Sequence, residues 1–177
     1  MTLGSQTDFV LHHTAVPLLI LRLSILRAGD PRTCTLKTDT VFERILYLTD
    51  FSEDAAKCIP FIGWINAAKP KSLIIMHVQD TRRLWSSTQE EIAAFNEKDA
   101  GRLAELKEHF AASGYVRIIT ELVTGNAINE ILSVAETFQP TLIVMGATGR
   151  TGTINALLGG VSEAVVHKSK AHVLVVR

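Results

Sequence analysis

Leu142-Ile-Val-Met-Gly-Ala-Thr-Gly-Arg-Thr-Gly-Thr-Ile-Asn-Ala-Leu-Leu-Gly-Gly-Val-Ser162 runs from an unbroken apolar segment into a glycine-rich one. An apolar run this short, closed by Gly146 and Gly149, reads as a strand buried on both faces, the pattern of a parallel sheet. A second pair, Gly159-Gly160, precedes a helical pattern opening Val161-Ser162-Glu163. Strand, glycine-rich loop and helix N-terminus together make an anion cradle. Glycine admits positive φ, backbone N–H groups come close to a ligand, and the first turn of the helix adds more donors. Two ordinary turns would place the same glycines. The spacing is neither G-x-G-x-x-G nor a Walker pattern, since no Gly-Lys-Ser/Thr follows. The flanking chain has to decide between the two.

Outward from this stretch, strand and helix patterns alternate. Strands are predicted at residues 44–48, 72–78, 116–123, 142–145 and 172–176. Ser52 is a good N-cap, with Glu53 and Asp54 in the first turn of a helix to about Ala68. Ile59, Ile62 and Ile65 form its inward stripe, and Pro60 should kink it. Residues 81–87 read as a loop. Thr88-Gln-Glu-Glu91 is a capping box opening a long helix to about Ser113, with Ile92, Phe95, Leu103, Leu106 and Phe110 on its apolar face and Gly114 closing it. Gly125-Asn126 starts another helix, with Ile128, Ile131, Leu132 and Ala135 inward, and the last helix covers residues 161–168. Alternation of this kind implies right-handed βαβ crossovers: an α/β, Rossmann-like fold with an open parallel sheet and helices on both faces. Ligands of such sheets sit beyond the carboxyl ends of the strands. Asp50, Val78 and residues 146–149 all lie at those ends.

Composition narrows the function classes. Among 177 residues, 18 Lys and Arg balance 18 Asp and Glu, so charge gives no case for nucleic acid or an anionic membrane. Cys34 and Cys58 make neither a disulfide framework nor a metal pattern, and a reducing, cytoplasmic setting is the simplest expectation. The six histidines include no H-E-x-x-H spacing, and His12-His13 reads as a surface pair. Residues 9–27 are apolar, but His12, His13, Arg22 and Arg27 within them, Pro17 and a short apolar core argue against a membrane span or signal peptide.

The chain also repeats itself. LGSQTDFVLHHTAVPLLILR, residues 3–22, aligns without a gap on LGGVSEAVVHKSKAHVLVVR, residues 158–177. Leu3/Leu158, Gly4/Gly159, Val10/Val165, His12/His167, Leu19/Leu174 and Arg22/Arg177 are identical pairs. Residues 1–22 are therefore expected to be the C-terminal helix–strand remnant of an upstream copy of the domain. Residues 23–40 then form a linker with a turn near Gly29-Asp30-Pro31, and residues 41–177 form one complete domain. A shortened tandem protein and a misplaced start codon explain the repeat equally well. Residues 17–22 are expected to pair with residues 171–177, hiding an exposed strand edge.

Thr49-Asp-Phe-Ser-Glu53 after the first strand, His77-Val78 ending the second, and G-x2-G-x9-G before Val161-Ser162 resemble the ATP-binding branch of the universal stress protein family over residues 41–177. The resemblance implies a five-stranded parallel sheet of order 3-2-1-4-5 and a homodimer through the last strand. It also implies a regulatory stress-response role, acting through nucleotide-dependent conformation or partner binding. The cofactor would be ATP, or AMP or ADP, with Mg2+ or Mn2+ able to bridge phosphates; no nucleic acid or membrane partner is implied. Asp50 would take the adenine edge, aided by backbone at Leu48 and Thr49, and Val78 would line the base pocket. Met145 and Gly146 would meet ribose and phosphate. Gly149, Gly159, Gly160, Val161 and Ser162 would wrap the phosphates, and Arg150 would meet a terminal phosphate or stand solvated. Asp50 could instead only cap the helix. No general base or nucleophile stands beside the expected phosphates, so at most slow ATP hydrolysis is expected.

Three positions depart from the family pattern: Leu48 and His172 stand where it often has Pro, and Gly160 where it has Ser or Thr. The tail keeps the usual forms, with Ser5 matching Gly160 and Pro17 matching His172. The alternative reading is a dimerisation or interaction module of the same fold without nucleotide. An adenylating enzyme would need an S-G-G-x-D-S loop after the first strand, where this chain has Thr49-Asp-Phe-Ser-Glu-Asp54.

Overall fold

The computed structural model describes residues 5–25, 34–36, 41–84, 88–149 and 158–177. The N-terminal part holds α1 (Ser5–His13), β1 (Leu18–Ile20), β2 (Leu23–Ile25) and β3 (Cys34–Leu36). The body follows as β4 (Arg44–Leu48), α2 (Glu53–Ala56), α3 (Cys58–Ile65) with a 3-10 turn (Asn66–Ala68), β5 (Ser72–Asp80), α4 (Thr81–Leu84) and α5 (Gln89–Ala112). It ends with β6 (Ile118–Gly125), α6 (Ala127–Phe138), β7 (Leu142–Gly146), α7 (Gly160–Lys168) and β8 (His172–Val176).

Among the described residues the main sheet has the order β1-β8-β7-β4-β5-β6. The pairs β8–β7, β7–β4, β4–β5 and β5–β6 are all parallel, which is the expected order 3-2-1-4-5. β1 adds a sixth, antiparallel strand on β8. The outer edge of β8, where the family resemblance implies a second copy, is thus taken by a strand of the same chain. β2 and β3 pair antiparallel, so the expected linker contains a small sheet of its own. The turn expected at Gly29-Asp30-Pro31 lies outside the described residues.

Successive residues of a strand face opposite ways, and here both faces are covered. Leu46, Ile74, Met76 and Ile143 enter a core closed by Ile131 of α6, Val165 and Val166 of α7, and Leu11 of α1. Ile45, Tyr47, Leu73, Ile75 and Val144 enter a second core, closed by Cys58 and Ile62 of α3 and by Leu103 and Phe110 of α5. Phe110 meets Tyr47 and Tyr115 edge-on at 6.2 and 5.9 Å. The Tyr47 and Tyr115 hydroxyls donate to the carbonyls of Ala55 and Ile62, both at 2.7 Å. Burial pushes the Cys58 thiol up to about 12, so this cysteine is a small packing residue and not a nucleophile.

Local signals placed most boundaries. Ser52 caps α2 through Ala55 N, and Thr88 with Glu91 forms the complete capping box of α5. The structure corrects three details. The helix expected across residues 53–68 breaks at Lys57, upstream of Pro60, because proline lacks the N–H that would bond Ala56 O and its ring crowds that carbonyl. The segment after β5 opens as α4 instead of a plain loop. Phe95 is 44% exposed, because it lines the open cleft, where its pattern alone predicts burial.

At the end of β7 a Cβ on Gly146 would stand 2.9 Å from the carbonyl carbon of Asp54 and 3.0 Å from its oxygen. Both are backbone atoms, so α2 seats on β7 only because residue 146 has no side chain. Gly146→Ala should cost about 1–3 kcal/mol of stability by overpacking. Phe110→Ala, which empties the second core, should cost about 3–5 kcal/mol. Urea midpoints compared with the parent chain check both, and an unchanged midpoint for Gly146→Ala would contradict the close approach.

Candidate functional site

Three segments converge beyond the carboxyl ends of β4, β5 and β7. The first is the turn after β4. Phe51 N–H bonds the Thr49 hydroxyl at 3.0 Å, Ser52 N–H bonds Asp50 Oδ1 at 3.1 Å, and Ala55 N–H bonds the Ser52 hydroxyl at 3.2 Å. Short polar side chains bonding the backbone just ahead are the chemistry that holds tight turns. The turn carries Phe51 at φ +59°, a conformation non-glycine residues rarely adopt. Ser52, not Asp50, is the helix cap. Asp50 braces the turn through Oδ1 and lies on the cleft wall.

The second segment is the end of β5, tied to the turn by a buried network. His77, 3% exposed, places Nδ1 2.8 Å from the Thr49 carbonyl and Nε2 3.4 Å from Asp99 Oδ2. A carbonyl only accepts, so Nδ1 is the donor in the contact with Thr49. Gln79 donates to Asp99 Oδ2 at 3.0 Å and accepts from Thr124 at 3.3 Å. Arg102 lies 3.7 Å from Asp99 Oδ1 and stacks over Phe51, 5.0 Å from the ring centroid. The Phe51 ring in turn packs against His77, with centroids 4.6 Å apart. β4, β5, β6 and α5 are thereby locked around one point.

The third segment is the glycine stretch. Gly159 N–H donates to Ala147 O at 2.8 Å, and the Ser162 hydroxyl donates to Gly146 O at 2.9 Å. These bonds clamp the start of α7 against the end of β7. Gly159, in extended conformation, is the N-cap and brings no side-chain acceptor. The N–H groups of Gly160, Val161 and Ser162 form the first turn, which has no carbonyls of its own helix to bond and carries the positive end of the dipole. Thr148 donates to Asp54 Oδ2, and Lys57 Nζ lies 2.6 Å from Asp54 Oδ1. Against the opposing effect of burial, these two partners hold the Asp54 carboxyl below its usual range.

The segments meet. A Cβ on Gly149 would stand 2.7 Å from Asp50 Oδ2, so the glycine stretch rests against the carboxylate turn. Together they line a cleft of about 760 Å³, which suits a drug-sized or nucleotide-sized ligand. Leu48, Thr49, Asp50, Val78, Met145, Gly146, Gly149, Gly159, Gly160, Val161 and Ser162 all line it. Arg150 lies outside the described residues. Thr49 N–H bonds Met76 O at 2.9 Å, so of the backbone at Leu48 and Thr49 this donor is engaged within the sheet. The sequence reading missed Gln79, Asp99 and Arg102, together with Arg82 and Lys98 on the same wall. A signal for Asp99 existed: it lies four residues before Leu103 on the stripe that reaches Phe110, a position where a carboxylate has to find partners.

Among the described residues no group of three or more His, Cys, Asp and Glu is placed to hold a metal ion, and no helix is long and apolar enough to cross a membrane. Residues 42–177 match the universal stress protein family. Universal stress protein MJ0577 of Methanocaldococcus jannaschii is 28% identical over 156 residues, 77% of this chain and 96% of that protein. Its solved structure superposes with a TM-score of 0.71 at 31% identity, over the same shares of both chains. A universal stress protein from Archaeoglobus fulgidus, at 25% identity and a TM-score of 0.67, matches 100% of this chain within 56% of its own. A universal stress protein solved in complex with cAMP shares the fold, with a TM-score of 0.59 at 24% identity over 78% of this chain and 98% of that one. By the sheet order, the cleft and these likenesses, the chain belongs to the universal stress protein family.

Proposed function

We propose that the cleft binds an adenine nucleotide, ATP or AMP, and that the protein is a regulatory stress-response protein acting through nucleotide-dependent conformation or partner binding. The observation that carries this reading is the contact of Gly149 with Asp50: a helix N-terminus fit for phosphate and a carboxylate fit for an exocyclic amine face one cleft. Asp50 would accept from the adenine amine, and Val78 and Met145 would flank base and ribose. The first-turn N–H groups of α7 would take the phosphates. Among the described residues nothing lies within 4 Å of where a Gly160 Cβ would point, so none of them fills the cradle there. A bound cyclic adenine nucleotide in a protein of this fold supports the ligand class. Mg2+ or Mn2+ would arrive with the phosphates as their counter-ion. Any hydrolysis would be slow, since the carboxylates of the β5–α5 wall are engaged, Asp80 by Arg82 at 2.6 Å and Asp99 by Gln79.

Isothermal titration of ATP, ADP and AMP tests the reading. Asp50→Ala should weaken binding about tenfold or more, the loss of a charge-assisted hydrogen bond of about 1.5–3 kcal/mol. Gly160→Ser should fit without displacing any of the described residues and tighten binding about fivefold, for one neutral hydrogen bond of about 1 kcal/mol. Absence of any heat at millimolar nucleotide, with none released from denatured protein, would leave the interaction-module alternative standing.

A further inference from the structure

His77 and Asp99 are buried, line the cleft, and have no part in holding the nucleotide as read above. What they hold is the turn that carries Asp50. β4 pairs with β5 as far as Leu48 opposite Met76, while β5 runs on to Asp80, paired to β6. His77 is the first β5 residue beyond that last β4 pair, and it reaches the turn with its side chain. It grips the Thr49 carbonyl, which accepts from Nδ1 at 2.8 Å, and the Phe51 ring, packed on the imidazole with centroids 4.6 Å apart.

Thr49 and Phe51 flank Asp50. The Thr49 carbonyl lies in the peptide plane that joins residues 49 and 50, and that plane is rigid, so its bond fixes the frame from which the Asp50 side chain departs. On the other side Phe51 stands at φ +59°, a conformation held by its neighbours and not by its own preference. One imidazole thus sets both backbone neighbours of the carboxylate. The close fit at Gly146 fixes where the turn passes into α2 and does not orient the residues inside it. The imidazole is itself aimed from α5. Nε2 faces Asp99 Oδ2 at 3.4 Å, and Gln79 donates to the same oxygen at 3.0 Å. Arg102 lies 3.7 Å from Asp99 Oδ1 and covers the Phe51 ring.

We propose that His77 is the positioning residue for base recognition: it aims the Asp50 carboxylate by holding the Thr49–Asp50 peptide and the Phe51 ring, and Asp99 of α5 orients its imidazole. The proposal rests on the reading of Asp50 as the acceptor of the base amine. It ties recognition in the cleft to the seat of α5, since a ligand that bears on Asp50 bears through His77 on Asp99, and coupling between sites is reciprocal.

Substitutions at residue 77 separate the arms of the ring. The amide nitrogen of asparagine stands close to the place of Nδ1 and that of glutamine close to the place of Nε2, so His77→Asn keeps the donor to Thr49 and His77→Gln loses it. Hydrogen exchange of the ligand-free protein reads the turn through the Ser52 amide, bonded to Asp50 Oδ1, with the β7 amides as the measure of the whole fold. Relative to β7, His77→Gln and Asp99→Ala should lower Ser52 protection about tenfold, and His77→Asn by less than about threefold. In isothermal titration of ATP, His77→Gln should weaken binding about tenfold in the parent and less than about twofold in Asp50→Ala, where the carboxylate it aims is gone. His77→Asn should restore most of the affinity. Unchanged Ser52 protection in His77→Gln, or equal loss in His77→Gln and His77→Asn, would overturn the proposal. So would a His77→Gln effect on ATP of the same size with and without Asp50. A parent that binds no ATP would defeat the nucleotide reading, while the exchange comparison would still decide what His77 positions.

Discussion

β7 is buried along its whole length, and where it ends the chain has no room for a side chain. The backbone of α2 occupies the place of a Cβ on Gly146, and the Ser162 hydroxyl bonds the Gly146 carbonyl from the other side. The contact between helix and strand fixes where α2 starts, hence where the turn of residues 49–52 lies. The contact with Ser162 fixes where α7 starts. The turn after β4 and the start of α7, on one side of the cleft, are both positioned from one glycine, and interiors this closely packed adapt poorly when such a contact changes.

The cleft's opposite wall is set by polar groups. His77 joins the Thr49 carbonyl to Asp99, and Asp99 gathers Gln79 and Arg102. Buried polar groups are costly unless each finds its partner, so a satisfied network of this kind specifies one arrangement of strand ends and α5. It also explains how Phe51 is kept at positive φ: its ring is held between His77 and Arg102, and its N–H by the Thr49 hydroxyl. The strain of that turn is placed beside Asp50, the group on which base recognition would depend.

On the far edge of the sheet the same chain deals with an unpaired strand. β8 has an apolar neighbour in β1, only three residues long and preceded by Pro17. A short edge strand offers little template for further pairing, so the cap is itself poorly suited to recruit another chain. His172, where the family pattern has Pro, accepts the Arg22 N–H at 2.9 Å through Nδ1, a bond that a proline could not make. The departure noted in the sequence therefore anchors the tail.

Periodicity and end signals carried the βαβ order, the capping residues Ser52 and Thr88, and the carboxyl-end position of Asp50, Val78 and the glycines. Each depends on neighbours within a turn or a pleat, and that information is local. The internal repeat likewise foretold that residues 17–22 would lie on the last strand, because matching units have matching surfaces. Spatial proximity was needed for the rest. Nothing between residues 49 and 149 says that Gly149 touches Asp50, that Asp99 meets His77, or that Gly146 is demanded by α2. Those facts follow from which strands become neighbours. The kink expected from Pro60 falls one turn upstream, at Lys57, and only the exposure of Phe95 escaped the pattern, since a helix face is buried or open according to what it meets. One-dimensional pattern fixes which face of an element is apolar, whereas the partners that face meets are chosen by long-range packing.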